Sequence, residues 1–198
     1  MQLRAQSKPS LGVIFDSDMG SRVETALALA VLYGLDGKNE CRVVSISSSR
    51  TSLLSAAYCE VVGRFYAGAV SAAFGAFART LPVGLAADGK IPGDTPLLTG
   101  PLNRTNPDGS KTYQHGIEQL IDTAEPHALI RNAFTAQYDQ NAAVVLAGPP
   151  FNLLKVLTLP DVKELIAAKV RVLVCSNAMA AKDLEAAGWP TQIGRAHV

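Results

Sequence analysis

Two aspartates, Asp16 and Asp18, stand one residue apart just after a short apolar stretch, residues 11–15. Gly20 permits a sharp turn after them, and from Val23 apolar residues recur at helical spacing. In an open α/β sheet, such a turn lies at the carboxyl end of a strand, where ligands bind. Because neighbouring carboxylates repel each other, the pair predicts a bound hard cation, Ca²⁺ or Mg²⁺. The alternative is a solvated pair that caps the helix.

The rest of the chain alternates short apolar runs, which predict strands, with longer amphipathic stretches, which predict helices. Strands are predicted at residues 11–15, 42–47, 81–85, 142–147 and 170–175, and a long polar loop at 87–111. Helices are predicted from residue 23, at 53–66, at 113–139 with a break near 125, at 153–157 and at 161–169. This alternation predicts an α/β fold, an open and mostly parallel Rossmann-like sheet flanked by helices.

Several residues that could serve a site follow the predicted strands directly. The carboxyl ends of parallel strands meet at one edge of a sheet, so residues that follow those ends should lie together. We therefore expect convergence at one edge of Asp16, Asp18, Ser48, Phe151 and Ser176.

Composition excludes several classes of function. A length of 198 residues fits one domain, and a net charge of +1 with 6% aromatic residues gives no basis for nucleic-acid binding. No apolar run approaches the ~20 residues that span a membrane, and no signal peptide is visible, which makes the cytoplasm the default expectation. The three cysteines lack CxxC spacing and predict neither a disulfide framework nor a zinc site.

The last six residues, 193–198, spell IGRAHV, which resembles translated sequencing-adapter text. We expect residues 193–198 to be an artefactual tail. Residues 1–192 are then the N-terminal part of a single domain whose C-terminal part is missing.

Four segments, in order along the chain, resemble the strand ends of the inosine/uridine-preferring nucleoside hydrolase family. The first, DSDMGSRVETAL at residues 16–27, corresponds to the family's Asp-x-Asp, x-Gly and a pair of aspartates that enter an alanine-rich helix. The others are SISSSR at 45–50, GPPFNL at 148–153 and VLVCSNA at 172–178.

The resemblance implies a hydrolase of purine and pyrimidine salvage that cleaves the N-glycosidic bond of ribonucleosides with calcium-activated water. It implies a small-molecule nucleoside as partner, and a homo-oligomer. By this resemblance Asp16, Asp18, Glu24 and the backbone carbonyl of Phe151 bind Ca²⁺, and Asp18 is also the general base. Glu24 and Asn152 contact the ribose, although a helix cap is the structural alternative for Asn152.

The chain departs from the family at important positions. The family's pair of aspartates falls on Glu24 and Thr25, so one carboxylate is longer and the other is lost. The family's C-terminal His and Asp fall beyond residue 198, so we expect this chain alone to be inactive. Two alternatives stay open. One is a degenerate homologue that binds ribosides without cleaving them, and the other is a haloacid-dehalogenase-like phosphohydrolase with Asp16 as nucleophile and Asp18 as acid.

Overall fold

A six-stranded parallel sheet forms the centre of the fold. The structure, a computed structural model, describes residues 10–74, 81–88, 90–190 and 194–197. The strands are β1 (Leu11–Ser17), β2 (Cys41–Ser48), β3 (Val83–Leu85), β4 (Ala142–Ala147), β5 (Val170–Cys175) and β6 (Gly194–His197). Their order in the sheet is β3-β2-β1-β4-β5-β6, and every neighbouring pair is parallel. The predicted α/β fold class is therefore confirmed.

Helices cover both faces of this sheet. They are α1 (Val23–Asp36), α2 (Leu53–Phe74), α3 (Pro96–Leu102), α4 (Pro126–Thr135), α5 (Phe151–Val156), α6 (Val162–Lys169) and α7 (Ala178–Ala186), with one 3-10 turn at Leu120–Asp122. On one face, Phe15 of β1 packs in a cluster with residues of α1, α2 and α3. On the other face, Ile14 packs with residues of α4 to α7.

Strand β1 lies at the middle of the sheet because its side chains are apolar in both directions. Val13, Ile14 and Phe15 are all buried, which is the pattern of a parallel strand covered on both faces. Burial of each such side chain contributes about 1.5–3 kcal/mol to folding. The central strand is thus a rigid support for the two aspartates at its end.

The structure corrects the prediction for residues 87–139. The predicted loop at 87–111 contains helix α3, and the helical stretch predicted at 113–139 is reduced to α4 and the 3-10 turn. In the second stretch, which is not helical around Gly116, the N–H of Gly116 donates a hydrogen bond of 2.8 Å to Glu60 Oε2. Helix α4 begins at Pro126, and the carboxylate of Glu125 accepts a hydrogen bond from the N–H of Ala128.

The chain's last described element is β6, which pairs with β5 and falls within the segment 193–198. The division of the chain at residue 192 stays a prediction. Among the residues that the structure describes, none of the helices combines the length and the apolar character needed to cross a membrane.

Candidate functional site

The carboxyl ends of the strands bring the predicted residues to one edge of the sheet. Asp16 lies in register with Ser47 on β2 and with Leu146 on β4, and Leu146 lies in register with Cys175 on β5. Because these strands are parallel, the residues that follow them emerge at the same edge. The predicted convergence of Asp16, Asp18, Ser48, Phe151 and Ser176 is confirmed at the level of the backbone.

Asp16 is fully buried at the end of β1. Its Oδ1 accepts hydrogen bonds from Ser47 Oγ at 2.7 Å and from Asn152 Nδ2 at 2.8 Å, while its Oδ2 is buried with no partner. Burial raises the pKa of Asp16 from 3.8 to about 7, against the opposing effect of the hydrogen bonds from Ser47 and Asn152. The carboxyl group therefore exchanges a proton near neutral pH.

Asp18 lies in the turn that follows and is 8% exposed. Its Oδ1 is buried and has no hydrogen-bond partner. The turn closes through a 3.0 Å hydrogen bond from the N–H of Ser21 to the carbonyl of Asp18, and Gly20 supplies a φ of +98° that other residues rarely adopt.

Gly148, just after β4, allows the close approach that buries Asp18. A Cβ atom at this position would lie 2.6 Å from the backbone nitrogen of Asp18 and 3.0 Å from its Oδ1. Only glycine leaves room for both strand ends here. The segment GPPFNL at 148–153 therefore positions the acidic turn as well as helix α5.

Asn152 is the second residue of α5 and is 1% exposed. Its side chain does not cap the helix, because the N-cap is Pro150 and the Asn152 amide donates to Asp16 instead. The donation leaves Asn152 Oδ1 buried and without a partner. Asp16 Oδ2, Asp18 Oδ1 and Asn152 Oδ1 are thus three unpartnered oxygens on residues at this edge of the sheet.

Glu24 and Thr25 lie on different sides of helix α1. Thr25 is 2% exposed, and its Oγ1 donates a long, 3.5 Å hydrogen bond to the carbonyl of Ala147 at the end of β4. Glu24 is exposed in the first turn of the helix and does not contact the acidic turn through any hydrogen bond. The position that faces the site therefore carries a hydroxyl group instead of a carboxylate.

Phe151 is the first residue of α5 and is half-buried, with Lys90 Nζ 5.4 Å from its ring centroid. Binding of metal by its backbone carbonyl stays a prediction, and so does the role of Glu24 in metal and ribose binding.

Arg50 follows β2 at the sheet edge where the sequence places it, beside the acidic turn, and it ties three segments together. The residue is 5% exposed, and its guanidinium group donates to the carbonyls of Pro92 (3.2 Å) and Gly93 (2.8 Å) and to Ser21 Oγ (2.7 Å). Its position directly after the serines of SISSSR is the only sequence signal for this role. Arg50 holds the segment around Gly93 against the acidic turn.

Helix α3 makes a second connection to the same turn. Thr95 Oγ1 donates a 2.7 Å hydrogen bond to the carbonyl of Gly20, and the side chain of Leu98 fills the space where a Cβ of Gly20 would stand. The loop predicted at 87–111 thus folds onto the acidic turn and fixes its backbone.

The chemistry of the donors decides which metal the site could hold. In the part of the chain that the structure describes, no three His, Cys, Asp or Glu side chains come together in a group that could hold a metal ion. A cation here would depend on two carboxylates and one amide oxygen. All three are hard oxygen donors, which fit Ca²⁺ or Mg²⁺ in kind and supply fewer than the 6–8 ligands that Ca²⁺ takes.

Comparisons with known proteins were made with the sequence and with the fold. The sequence matches no protein-family model and no curated protein. Among solved structures, the chain is similar to the purine-preferring ribonucleoside hydrolase from Gardnerella vaginalis, at 17% sequence identity and a TM-score of 0.44. The match covers 83% of this chain and 48% of that protein, so the chain spans about half of its length. These comparisons do not assign the chain to a family.

Proposed function

We propose that this chain contributes the calcium- and ribose-binding edge of a hydrolase that cleaves the N-glycosidic bond of ribonucleosides. One observation carries the proposal: Asp16, Asp18 and Asn152 each keep a buried oxygen without a partner at the carboxyl edge of a parallel sheet. An unpartnered buried oxygen costs about 1–3 kcal/mol, so three at one edge favour a cation or a hydroxyl-bearing ligand as their partner. The four family-like strand ends add to this support.

The proposed donors are Asp16 Oδ2, Asp18 Oδ1 and Asn152 Oδ1. A bound Ca²⁺ would lower the pKa of a coordinated water and orient it. Glu24 is left out of this set because its side chain is exposed in the first turn of α1. Thr25 carries no charge, so the site depends on at most two negative charges, and only when Asp16 is ionised.

Cleavage of an N-glycosidic bond passes through an oxocarbenium-like sugar and needs an activated water on the opposite side from the leaving base. In the proposed reaction, Asp18 Oδ1 is a ligand of the cation, and the other oxygen of the same carboxylate, Oδ2, accepts the proton of that water as general base. Asp16 holds the Asn152 amide through its Oδ1, which leaves Asn152 Oδ1 free for a ribose hydroxyl or the cation. Ser47 fixes the Asp16 carboxylate from the neighbouring strand. Protonation of the leaving base is assigned to residues outside this chain.

A second candidate function, riboside binding without cleavage, is favoured by Thr25. Its hydroxyl group is buried and directed at the Ala147 carbonyl, so it does not replace the carboxylate of the family's motif. Calcium affinity follows the number of charged ligands, and a site with one carboxylate fewer binds the cation more weakly.

The phosphohydrolase alternative receives no support from the site. Its nucleophile would be Asp16, and a nucleophile must reach a phosphoryl group in the substrate pocket. One oxygen of Asp16 is already bonded to Ser47 and Asn152, and burial raises the pKa of this carboxyl group to about 7, so near neutral pH much of it is a neutral acid, which is a poor nucleophile.

Binding of inosine and uridine, measured by calorimetry with and without 5 mM CaCl₂, tests the proposal on this chain. We expect binding that depends on calcium and is lost in Asp18→Asn, while Glu40→Gln, an exposed carboxylate in the turn before β2, leaves it unchanged. Absence of nucleoside binding in the presence of calcium would overturn the proposal. Equal binding without calcium, also by Asp18→Asn, would favour the second candidate.

A further inference from the structure

A cleft with aromatic walls opens between helices α2 and α3. The rings of Tyr58, Phe65 and Tyr66 come from α2, and the ring of Tyr113 comes from the segment after α3. Two valines of α2 and Pro101 of α3 complete the walls. The cleft has a volume of about 210 Å³, and no side chain of the candidate site lines it. It is therefore a cavity that the proposed reaction does not use.

Packing against the core holds the aromatic walls in place. Tyr58, Tyr66 and Tyr113 are partly buried and pack against the same core cluster as Phe15 of β1. Phe65 is 61% exposed, and its ring meets the ring of Tyr66 edge-on, with the two centroids 5.2 Å apart. The core thus anchors these rings while they still line an open cleft.

The polar groups of the cleft are three phenolic hydroxyl groups. Those of Tyr58, Tyr66 and Tyr113 make no hydrogen bond to any other residue that the structure describes. Burial raises the pKa of Tyr58, and its neighbours Cys59, Tyr113 and Tyr66 raise it further, so its hydroxyl group stays protonated at neutral pH. A protonated phenol donates one hydrogen bond and can also accept. The cleft therefore offers hydrogen-bond donors that the described part of the chain does not use.

The described residues that line the cleft are all uncharged. Glu60 and Arg64, which lie between lining residues in the sequence of α2, form an ion pair with each other at 2.5 Å and are not part of the lining. The exposed Arg22 lines a separate, smaller cavity that Tyr58 also lines. An ion that entered the cleft would lose its hydration without gaining an opposite charge, which is costly. The cleft therefore suits an uncharged ligand.

We propose that this cleft binds a small, uncharged aromatic molecule that carries a hydrogen-bond acceptor such as a carbonyl oxygen. The rings of tyrosine and phenylalanine attract a further ring in stacked or edge-on arrangements. The phenolic hydroxyl groups donate to the acceptor. An apolar cavity of about 150 Å³ takes up benzene, so a cleft of about 210 Å³ has room for one ring with a polar substituent. This binding does not depend on the proposed hydrolase activity.

Benzamide, a single aromatic ring with a carboxamide group, is the probe for this site. The backbone amide chemical shifts of the ¹⁵N-labelled 198-residue chain are followed during a titration up to 20 mM benzamide. We expect saturable shifts at Tyr58, Phe65, Tyr66 and Tyr113. Cyclohexanecarboxamide, which carries the same group on a saturated ring, should bind at least threefold more weakly. An absence of shifts, shifts confined to other parts of the chain, or equal affinity for the two compounds would overturn the proposal.

Matched variants test the contributions of the hydroxyl group and the exposed ring. Tyr58→Phe keeps the ring and its packing but removes the hydroxyl group, so benzamide should bind at least threefold more weakly. Tyr138→Phe is the control and should bind as the wild type does, because Tyr138 is 71% exposed and does not line the cleft. Phe65→Ala removes an exposed wall and should also weaken binding, while unchanged amide shifts in the core show that the variant is folded. Wild-type affinity in Tyr58→Phe or in Phe65→Ala would contradict the proposed site.

Discussion

Replacement of Asp16 by asparagine should change how the stability of the protein depends on pH. Burial raises the pKa of Asp16 from 3.8 to about 7. In the unfolded chain the group loses its proton near 3.8, so between these two values the folded state holds more protons than the unfolded state. The free energy of unfolding therefore falls as pH rises through this window and reaches its lower level above pH 7.

The size of the effect follows from the two pKa values. At about 1.4 kcal/mol for each pKa unit, the window from 3.8 to about 7 corresponds to about 4 kcal/mol, of which about 3 kcal/mol falls between pH 5 and pH 8. Asparagine can still accept the hydrogen bonds from Ser47 and Asn152, but it does not ionise. The stability of Asp16→Asn relative to the wild type should therefore increase by about 3 kcal/mol from pH 5 to pH 8.

Urea unfolding in EDTA, followed through the fluorescence of the buried Trp189, measures this difference. Asp183→Asn, an exposed carboxylate on α7, is the matched control and should show no change with pH relative to the wild type. A stability difference between Asp16→Asn and the wild type that is the same at pH 5 and pH 8 would refute the argument, because it would mean that Asp16 ionises normally in the folded protein.

Three further predictions concern the residues around the site and the chain's activity. Gly148→Ala should destabilise the protein by about 1–3 kcal/mol, because the added Cβ would meet the backbone of Asp18. Gly100→Ala should not destabilise it, because a Cβ at Gly100 meets nothing within 4 Å. Thermal unfolding measures both variants. Arg50→Met should lower the free energy of unfolding, measured in urea, by about 2–3 kcal/mol, because three hydrogen bonds from a buried guanidinium group are lost. Replacement of the exposed Arg131 by methionine should leave this free energy unchanged. Equal effects of the two variants would refute the role of Arg50. The 198-residue chain should release no measurable ribose from inosine or uridine in a reducing-sugar assay, and robust turnover would contradict the assignment of leaving-base protonation to residues outside it.

The strands and the acidic turn could be predicted from sequence because both depend on local pattern. Parallel strands covered on both faces are short apolar runs, and each predicted strand lies at its observed place within two residues. Helix α3 could not be predicted, since Pro96, Gly100 and Pro101 argue against a helix. Its fixed place depends on contacts with Gly20, which is about 75 residues away in sequence.

The orientation of α1 also could not be predicted. Its sequence, VETALALAVLYGLD, is apolar on nearly every side, so the row through Leu27 and the row through Leu29 predict a buried face equally well. Tertiary packing buries Thr25, Leu29 and Tyr33 and leaves Glu24 exposed. The sequence therefore identified the acidic segment but not which residue beside it faces the site.

The hydrogen-bond partners of Asp16 also could not be predicted from the sequence. Ser47 and Asn152 lie 31 and 136 residues away, and only the order of the strands brings them to the carboxyl group. The spacing of Asp16 and Asp18 gives no reason to distinguish them, whereas the structure shows that Asp16 is hydrogen-bonded by two side chains and that the buried Oδ1 of Asp18 has no partner.

Calcium binding by this chain tests the central claim most directly. Isothermal titration calorimetry at pH 8, where Asp16 is ionised, should give one Ca²⁺ per chain for the wild type and for Glu40→Gln. Binding should be lost in Asp18→Asn and weakened at pH 6, where Asp16 holds its proton. Calcium binding by Asp18→Asn with the affinity of the wild type, or no binding by the wild type at pH 8, would contradict the assignment of the cation to this edge of the sheet.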